Sequence, residues 1–460
     1  MESIKSIHLK DTREPCILVK ACITRTPPLV ITGFCKRTNH PPVGPFAFSE
    51  GVSVASMSPA SSLRDAVATR AVLAVNFISR VTFGGSGTVI GGRIGLAMAP
   101  RLLEGLTRTR TVVLVSGTNG KTTTTAMIAA GWGRDVATNQ TGSNMPPGHV
   151  AALAASHSSS VVLEVDEGWM AKVVPATKPR VITLLNLSRD QLDRANEVRQ
   201  IADRWRATLT ANENVTVVAN ANDPLVVYAA ELASNVAWCD VPTPWNTDAV
   251  SCPRCTLPIS FNDDSWWSEC GFSKPLKIAT TLRDELVVRG TPLALDLRLP
   301  GEFNEANAAM ALTALSYLDV DLPDALARVN ALESVAGRFS LRRWRGHQLR
   351  LLLAKNPAGF TAMLKTLKDD DADVWVAINA RIADGKDPSW LYDVPFELLR
   401  GHRVYCFGDR RLDLATRLDY AGVDYVVVRD EATLPASSDA INVLSNYTAF
   451  QDWREKSGPC

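Results

Sequence analysis

The sequence predicts an α/β protein built on a mostly parallel sheet. Three observations carry that expectation: short β-branched apolar runs ending in polar loops, helical stretches alternating with them, and one such run feeding straight into a glycine loop followed by Lys-Thr. Runs apolar throughout mark strands covered on both faces, and strand–helix alternation places crossover helices on a parallel sheet.

The first strand is Thr111-Val112-Val113-Leu114-Val115, followed by Ser116-Gly117-Thr118-Asn119-Gly120-Lys121-Thr122-Thr123-Thr124 and an Ala-rich helical stretch at 126–130. Strand, glycine loop, Lys-Thr and helix form a phosphate loop. Gly117 and Gly120 let the backbone turn so that successive N–H groups face phosphate oxygens. The helix start adds a positive dipole end. Lys121 supplies a point charge, and the Thr122 hydroxyl is a ligand for Mg²⁺. The loop is one residue short of the full Walker pattern, because the expected first glycine falls on Val115. A second strand, residues 160–165, carries Glu164 and leads to Asp166 and Glu167, acids at the sheet edge where α/β ligand sites form and where a Mg²⁺ ion is held. Further strands fall at 181–186 and 215–219, and in the C-terminal part at 349–353, 374–378, 404–407 and 425–428, with helices between them.

The chain has 460 residues, which suggests roughly two to four domains. The expected division is an N-terminal extension (1–60), a central P-loop domain (61–335) with a small cysteine-containing, zinc-ribbon-like insertion (238–283), and a C-terminal α/β domain (336–460). Lys+Arg is 49 and Asp+Glu 48, a balance that argues against a dedicated nucleic-acid binder. No apolar stretch reaches the roughly 18 residues needed to span a bilayer. Nine cysteines are too sparse for a disulfide scaffold, which points to a reducing, cytoplasmic setting. Residues 1–60 hold Cys16, Cys22 and Cys35, several prolines and a mild basic excess. They read as a disordered tail, as a targeting leader, or as a start placed upstream of a true one at Met57.

In the insertion, Cys252-Pro253-Arg254-Cys255 is a CxxC knuckle and Cys270 lies further on. Three thiols do not close a structural zinc site, which wants four ligands. Cys239 is the nearby thiol that would complete it; otherwise the metal is lost and Trp266 and Trp267 pack the knuckle.

Taken together, these segments resemble the central domain of the Mur ligase superfamily, enzymes that join amine donors to carboxylates through an acyl phosphate. The matching pieces are residues 117–124, the acidic strand end at 164–167, Asn186 with residues 190–193, and Asn222-Asp223-Pro224. Residues 300–307 are similar to the family segment whose asparagines, here Asn304 and Asn307, lie near the adenine. Gly337-Arg338-Phe339 is similar to the hinge whose arginine, here Arg338, reaches the nucleotide. Residues 138–145, 165–167, 189–194, 355–360 and 383–390 narrow the resemblance to the MurT family within that superfamily, over about residues 60–455.

That resemblance implies a ligase using ATP, bound through Gly117, Thr118, Asn119, Gly120, Lys121, Thr122, Thr123, Asn304, Asn307 and Arg338, with Mg²⁺ at Thr122, Glu164 and Glu167. It implies amidation of the D-glutamate α-carboxylate of the lipid II stem peptide, with ammonia from a GatD-type glutaminase partner, at the inner face of the membrane. It also implies a ribbon of four cysteines, from which this chain departs at Trp267, and an aspartate of the C-terminal domain that completes a Cys-His-Asp triad on the partner. Asp387 is the first choice, with Asp384 and Asp393 as the others. Other Mur ligases often carry a carbamylated lysine; residues 191–214 contain no lysine, so none is assigned. The rival readings are a stand-alone Mur or folylpolyglutamate-type ligase that adds an amino acid, a nucleotide-binding regulator, and a scaffold for a glutaminase.

Overall fold

The structure, a computed structural model, describes residues 59–83, 88–139, 143–189, 195–243, 245–335, 338–431, 434 and 440–459. The expectations placed on residues 1–58, on 140–142, on 190–194 and on Gly337 lie outside the described residues.

Three helices open the described chain: α1 (Pro59–Phe83), α2 (Thr88–Met98) and α3 (Leu102–Thr107). Then come β1 (Thr111–Ser116), α4 (Lys121–Trp132), β2 (Val136–Thr138), α5 (Pro146–Ala154), β3 (Ser160–Glu164), α6 (Met170–Thr177), β4 (Val181–Leu184), α7 (Ala195–Thr210), β5 (Thr216–Asn220), α8 (Pro224–Ala230) and β6 (Val236–Asp240). A two-stranded hairpin, β7 (Ser260–Phe261) with β8 (Trp266–Trp267), precedes β9 (Ile278–Leu282), β10 (Leu286–Val288), β11 (Thr291–Leu293), α9 (Glu302–Leu315) and α10 (Leu322–Asn330). The first sheet runs β11-β10-β9-β6-β5-β4-β1-β3-β2, parallel from β2 to β9 and closed by the antiparallel β10 and β11.

Period-2 alternation sorts each central strand onto two layers. Val112 and Leu114 join one core with Val161, Leu163 and Ile182, while Val113 and Val115 join the other with Val162 and Val181. Helices α1, α3 and α5–α8 cover the first layer, and α4, α9 and α10 the second. Because β1 lies between β3 and β4, the strand order reverses beside it, and the loop after β1 opens into the resulting crevice.

The second sheet is built from β12 (Phe339–Trp344), β13 (His347–Leu353), β14 (Asp373–Ala377), β15 (Val404–Phe407), β16 (Tyr425–Val427), β17 (Ala440–Ser445) and β18 (Gly458–Pro459), in the order β16-β15-β14-β17-β13-β12-β18. Helices α11 (Pro357–Leu367) and α12 (Arg411–Ala421) cover one face, and α13 (Tyr447–Lys456) covers the other.

The insertion is narrower than the expected 238–283. Residues 238–240 belong to β6 and residues 278–282 to β9, and both strands hydrogen-bond inside the first sheet, so the lobe itself lies between them. Sheet pairing claims these residues because Cys239, Thr280 and Leu282 bury their side chains there.

Candidate active site

The phosphate loop leaves β1 at Ser116 and enters α4 at Lys121, with Gly117 at φ +144° and Gly120 at φ +85°. A side chain at Gly120 would collide with the carboxamide of Asn307, and one at Gly117 would press on Leu185. The loop is also clamped to the exit of β4. Thr118 N and Asn119 N donate to the carbonyl and side-chain oxygens of Asn186, each at 2.9 Å. The Thr118 hydroxyl donates to Ser188 O and accepts from Ser188 N, both at 3.0 Å. Asn186 and Ser188 are thus part of the cradle, although the sequence marks Ser188 with no motif.

Lys121 is 5 % exposed. Its ammonium donates to Gly117 O at 2.5 Å, Thr118 O at 3.3 Å and Glu167 Oε1 at 3.0 Å. Thr122 Oγ1 donates to Glu164 Oε2 at 2.7 Å and accepts from Arg338 Nη2 at 3.3 Å. Lys121, Thr122, Glu164, Glu167 and Arg338 are therefore brought together, with Arg338 arriving from the edge of the second sheet. A hydroxyl and two carboxylates are the hard oxygen donors that suit Mg²⁺. Burial pushes the carboxyl of Asp166 up, and the neighbouring Glu167 adds to the shift.

Asn139 and Asn144, both within the run 138–145, and His149, which carries no motif, hold Glu164. Asn139 Nδ2 donates to its carbonyl and Glu164 N to Asn139 Oδ1, both at 2.9 Å, and Asn144 Nδ2 reaches Glu164 Oε1 at 3.4 Å. His149 Nε2 lies 2.9 Å from Glu164 O. A carbonyl only accepts, so Nε2 carries the proton. His149 is fully buried, and burial pushes its pKa down to about 4 despite the Glu164 carbonyl and charge. The imidazole is a neutral prop under the acidic strand end.

The loop borders a cleft that opens between the first sheet and the second. Asn119, Thr123 and Asn186 line one side, Phe303, Asn304 and Asn307 of α9 another, and Arg338, Lys355 and Ala358 the third. Asn304 donates to Pro300 O at 2.7 Å, which fixes the turn into α9.

The three aspartates of the C-terminal domain have separate surroundings. Asp384 accepts from Thr448 N at 2.9 Å and from the Thr448 hydroxyl, tying its loop to the start of α13. Asp393 stands 4.0 Å from Arg189, a residue of the first unit that also pairs with Asp248. Asp387 is exposed and accepts from Ser389 N at 2.9 Å, a contact that holds its carboxyl below the usual range.

The thiols of Cys252, Cys255 and Cys270 converge within 4.8 Å of one another. Ser268 Oγ stands 3.5 Å from Cys255 Sγ and draws that thiol down to about 7. Cys239 is not the fourth member. It sits in β6 with its sulfur in the opposite core layer, 3.6 Å from Thr313 Oγ1 of α9, and burial pushes its thiol up to about 12. The expected packing role is also divided. Trp266 is buried 4.9 Å from the Phe272 ring, with its indole N–H on Ala221 O, whereas Trp267 is 45 % exposed. The cluster offers three soft ligands to a thiophilic cation, with the Ser268 hydroxyl beside them.

The depressed His149 gives a pH signature. The unfolded chain takes up a proton at this residue below about 6.5, and the folded chain only below about 4. Its contribution to stability is therefore complete above the higher value and is lost as pH falls through that window. Replacing His149 by Gln should remove up to about 3 kcal/mol of that pH-dependent difference, measured as urea unfolding of both proteins across the window. Parallel pH profiles would refute a buried neutral imidazole.

Two family models match the chain: the Mur ligase middle domain at residues 115–315 and the MurT ligase C-terminal domain at residues 353–450. Among curated relatives, the lipid II isoglutaminyl synthase (glutamine-hydrolyzing) subunit MurT of Streptococcus pneumoniae is 26% identical over 420 residues, covering 81% of this chain and 92% of that protein. The same subunit of Staphylococcus aureus is 25% identical over 408 residues, covering 81% and 93%. Among solved structures, a pseudomurein peptide ligase type C from Methanothermus fervidus aligns with TM-score 0.57 at 19% identity, over 75% of this chain and 78% of that one. MurF of Thermotoga maritima, solved in complex with ADP, aligns with TM-score 0.55 at 15% identity, over 79% and 83%. These two share the fold. Both matched segments supply residues to the lining of the cleft, and the chain combines a Mur ligase middle domain with a MurT ligase C-terminal domain, as its MurT relatives' similarity over 81% of its length agrees.

Proposed function

We propose that this chain is the ATP-dependent ligase subunit of a lipid II isoglutaminyl synthase. In this reading it converts the D-glutamate α-carboxylate of the lipid II stem peptide to D-isoglutamine, with ammonia from a GatD-type glutaminase on a second chain. The observation that carries it is the run of contacts Lys121 to Glu167, Thr122 to Glu164 and Arg338 to Thr122, so that one locus is addressed from both α/β units.

A carboxylate resists attack because it is anionic and its oxygen leaves poorly. In the proposed reaction a carboxylate oxygen attacks the γ-phosphorus of ATP, ADP departs, ammonia attacks the acyl carbon, and phosphate leaves. Little covalent work falls to the protein; positioning and charge neutralisation dominate. The loop N–H groups and Lys121 hold the phosphates, Arg338 adds charge from the hinge, and the cleft side of Asn304 and Asn307 receives the base. Thr122, Glu164 and Glu167 would hold Mg²⁺, which supplies further positive charge at the phosphates. Asp387 is the residue offered to the glutaminase, because it is exposed and ionised, while Asp384 is tied to α13 and Asp393 faces Arg189. A carboxylate in that role would orient the partner's histidine. Cys252, Cys255 and Cys270 would hold a zinc ion through three thiolates, with the fourth position left to the neighbouring Ser268 hydroxyl or to water.

Three outcomes test this reading. Lys121→Ala should lower ATP-dependent amidation about 10²–10³-fold or more while the circular dichroism of the fold is kept; undiminished turnover would refute the phosphate role. Asp387→Asn should abolish glutamine-driven amidation by the complex and spare amidation driven by ammonium salts. Loss with Asp393→Asn instead would move the role to that residue. Metal analysis of the purified chain should return about one zinc per molecule, falling when Cys252 and Cys270 are replaced by Ser; content near zero ends the metal reading.

A further inference from the structure

Helix α1 is apolar on two opposite faces. At 100° per residue, Ala68, Val72 and Asn76 lie on one side and are buried against α2 and α5. Leu63, Val67, Arg70, Phe77 and Val81 follow the spacing of the opposite side, and all are exposed: Leu63 by 68%, Phe77 by 69% and Val81 by 73%. A surface helix ordinarily turns charged and polar residues to water.

Helix α2 repeats the pattern beside it. Its Gly91, Gly92 and Gly95 pack so closely that a side chain there would collide with Asn76, Pro147 and Val72. Its other side presents Ile90, Arg93 and Ile94 to solvent. The two helices are thus fixed to the body by small residues and present an apolar double stripe outward. A hydrogen bond from Arg64 Nε to Met98 O ties them.

The charge of this face selects what covers it. Residues 59–108 hold six arginines and no lysine against two acids, in a chain whose formal net charge is +1. Arg70 stands within the apolar stripe, Arg64 at its edge and Arg93 within the stripe of α2, all exposed. Long guanidinium side chains among apolar residues can lay their stems on hydrocarbon and their heads at phosphate level. No described helix is long and apolar enough to cross a membrane, so such a face would lie on the bilayer.

We infer that the outer face of α1 and α2 docks on an anionic phospholipid surface, with Phe77, Val81 and Ile94 entering the headgroup boundary and Arg64, Arg70 and Arg93 meeting phosphates. The inference goes beyond the proposed reaction and does not depend on it. A chain acting on a lipid-linked substrate would gain by it, since docking raises the local concentration of that substrate.

The test is co-sedimentation of the full chain with vesicles containing neither lipid II nor nucleotide. Binding to equimolar phosphatidylglycerol–phosphatidylcholine vesicles should exceed binding to phosphatidylcholine alone and weaken with salt. Arg70→Gln should weaken it about fivefold. Phe77→Glu with Val81→Glu should weaken it at least tenfold. Thermal unfolding and ATP turnover in solution should stay at wild-type values for both variants, since these side chains face water. No preference for anionic vesicles, or full vesicle binding by the Phe77–Val81 variant, overturns the inference. So does a dimer in solution that the same variant splits while vesicle binding persists, which would make the face an interface between copies. ATP turnover of the wild-type chain is read separately, so failure here is distinct from failure of the proposed reaction.

Discussion

A positive charge kept from water governs the rest of the site. The Lys121 ammonium is 5 % exposed, and a buried cation must be surrounded by acceptors or it will not stay charged. Its acceptors are two carbonyls of its own loop and the carboxylate of Glu167. The carbonyls can turn toward it only if the loop takes left-handed backbone at Gly117 and Gly120. Glu167 can reach it only if β3 ends beside β1, which the parallel register Val115 to Glu164 secures. From that pairing follow the contact of Thr122 with Glu164 and the need to hold Glu164 still. The hydrogen bonds from Asn139 and His149 to the Glu164 backbone meet that need.

The same charge logic joins the two α/β units. Arg338 donates to the Thr122 hydroxyl, and Arg189 faces Asp393 across the other end of the contact. Between them the cleft takes residues from both units, so neither sheet alone forms the site. Lys355 stands near Asp166 and opposes the rise of its carboxyl caused by burial, a third electrostatic link from the second unit to the acidic strand end. A site divided in this way changes its charge balance whenever the units shift against each other.

The loop and its strand were legible because their chemistry is local: a buried parallel strand needs an apolar run, and a phosphate turn needs Gly, Gly and Lys within five residues. The strands at 111–116, 160–164 and 181–184 announce themselves in that way. What failed to announce itself depends on tertiary partners. His149 and Ser188 matter through bonds to segments distant in sequence, and no spacing marks them. Strand β17 lies centrally in the second sheet, yet buried Asn442 and Ser445 interrupt its apolar run. Cys239 looked like a fourth thiol by proximity in sequence. Strand alternation turned it to the layer of Thr313, so nearness along the chain was a poor guide to nearness of sulfur atoms.

The described thiols and imidazoles also bear on where ammonia would arise. A glutaminase nucleophile needs a thiolate with a histidine beside it. Cys406 is buried in β15 with its thiol pushed up to about 12, as is Cys239 in β6, and neither ionises near neutrality. Cys255 has the readiest thiol, yet it is gathered with Cys252 and Cys270 around Ser268. Among the described imidazoles, His149 is neutral against Glu164 O, His157 is exposed ahead of β3, His347 lies in the cluster of Trp344 and Trp375, and His402 contacts Lys368 O. No Cys–His pair is formed among the described residues; in the proposed amidation glutamine hydrolysis falls to a second chain. In that proposal the exposed carboxylate of Asp387 would face the second chain.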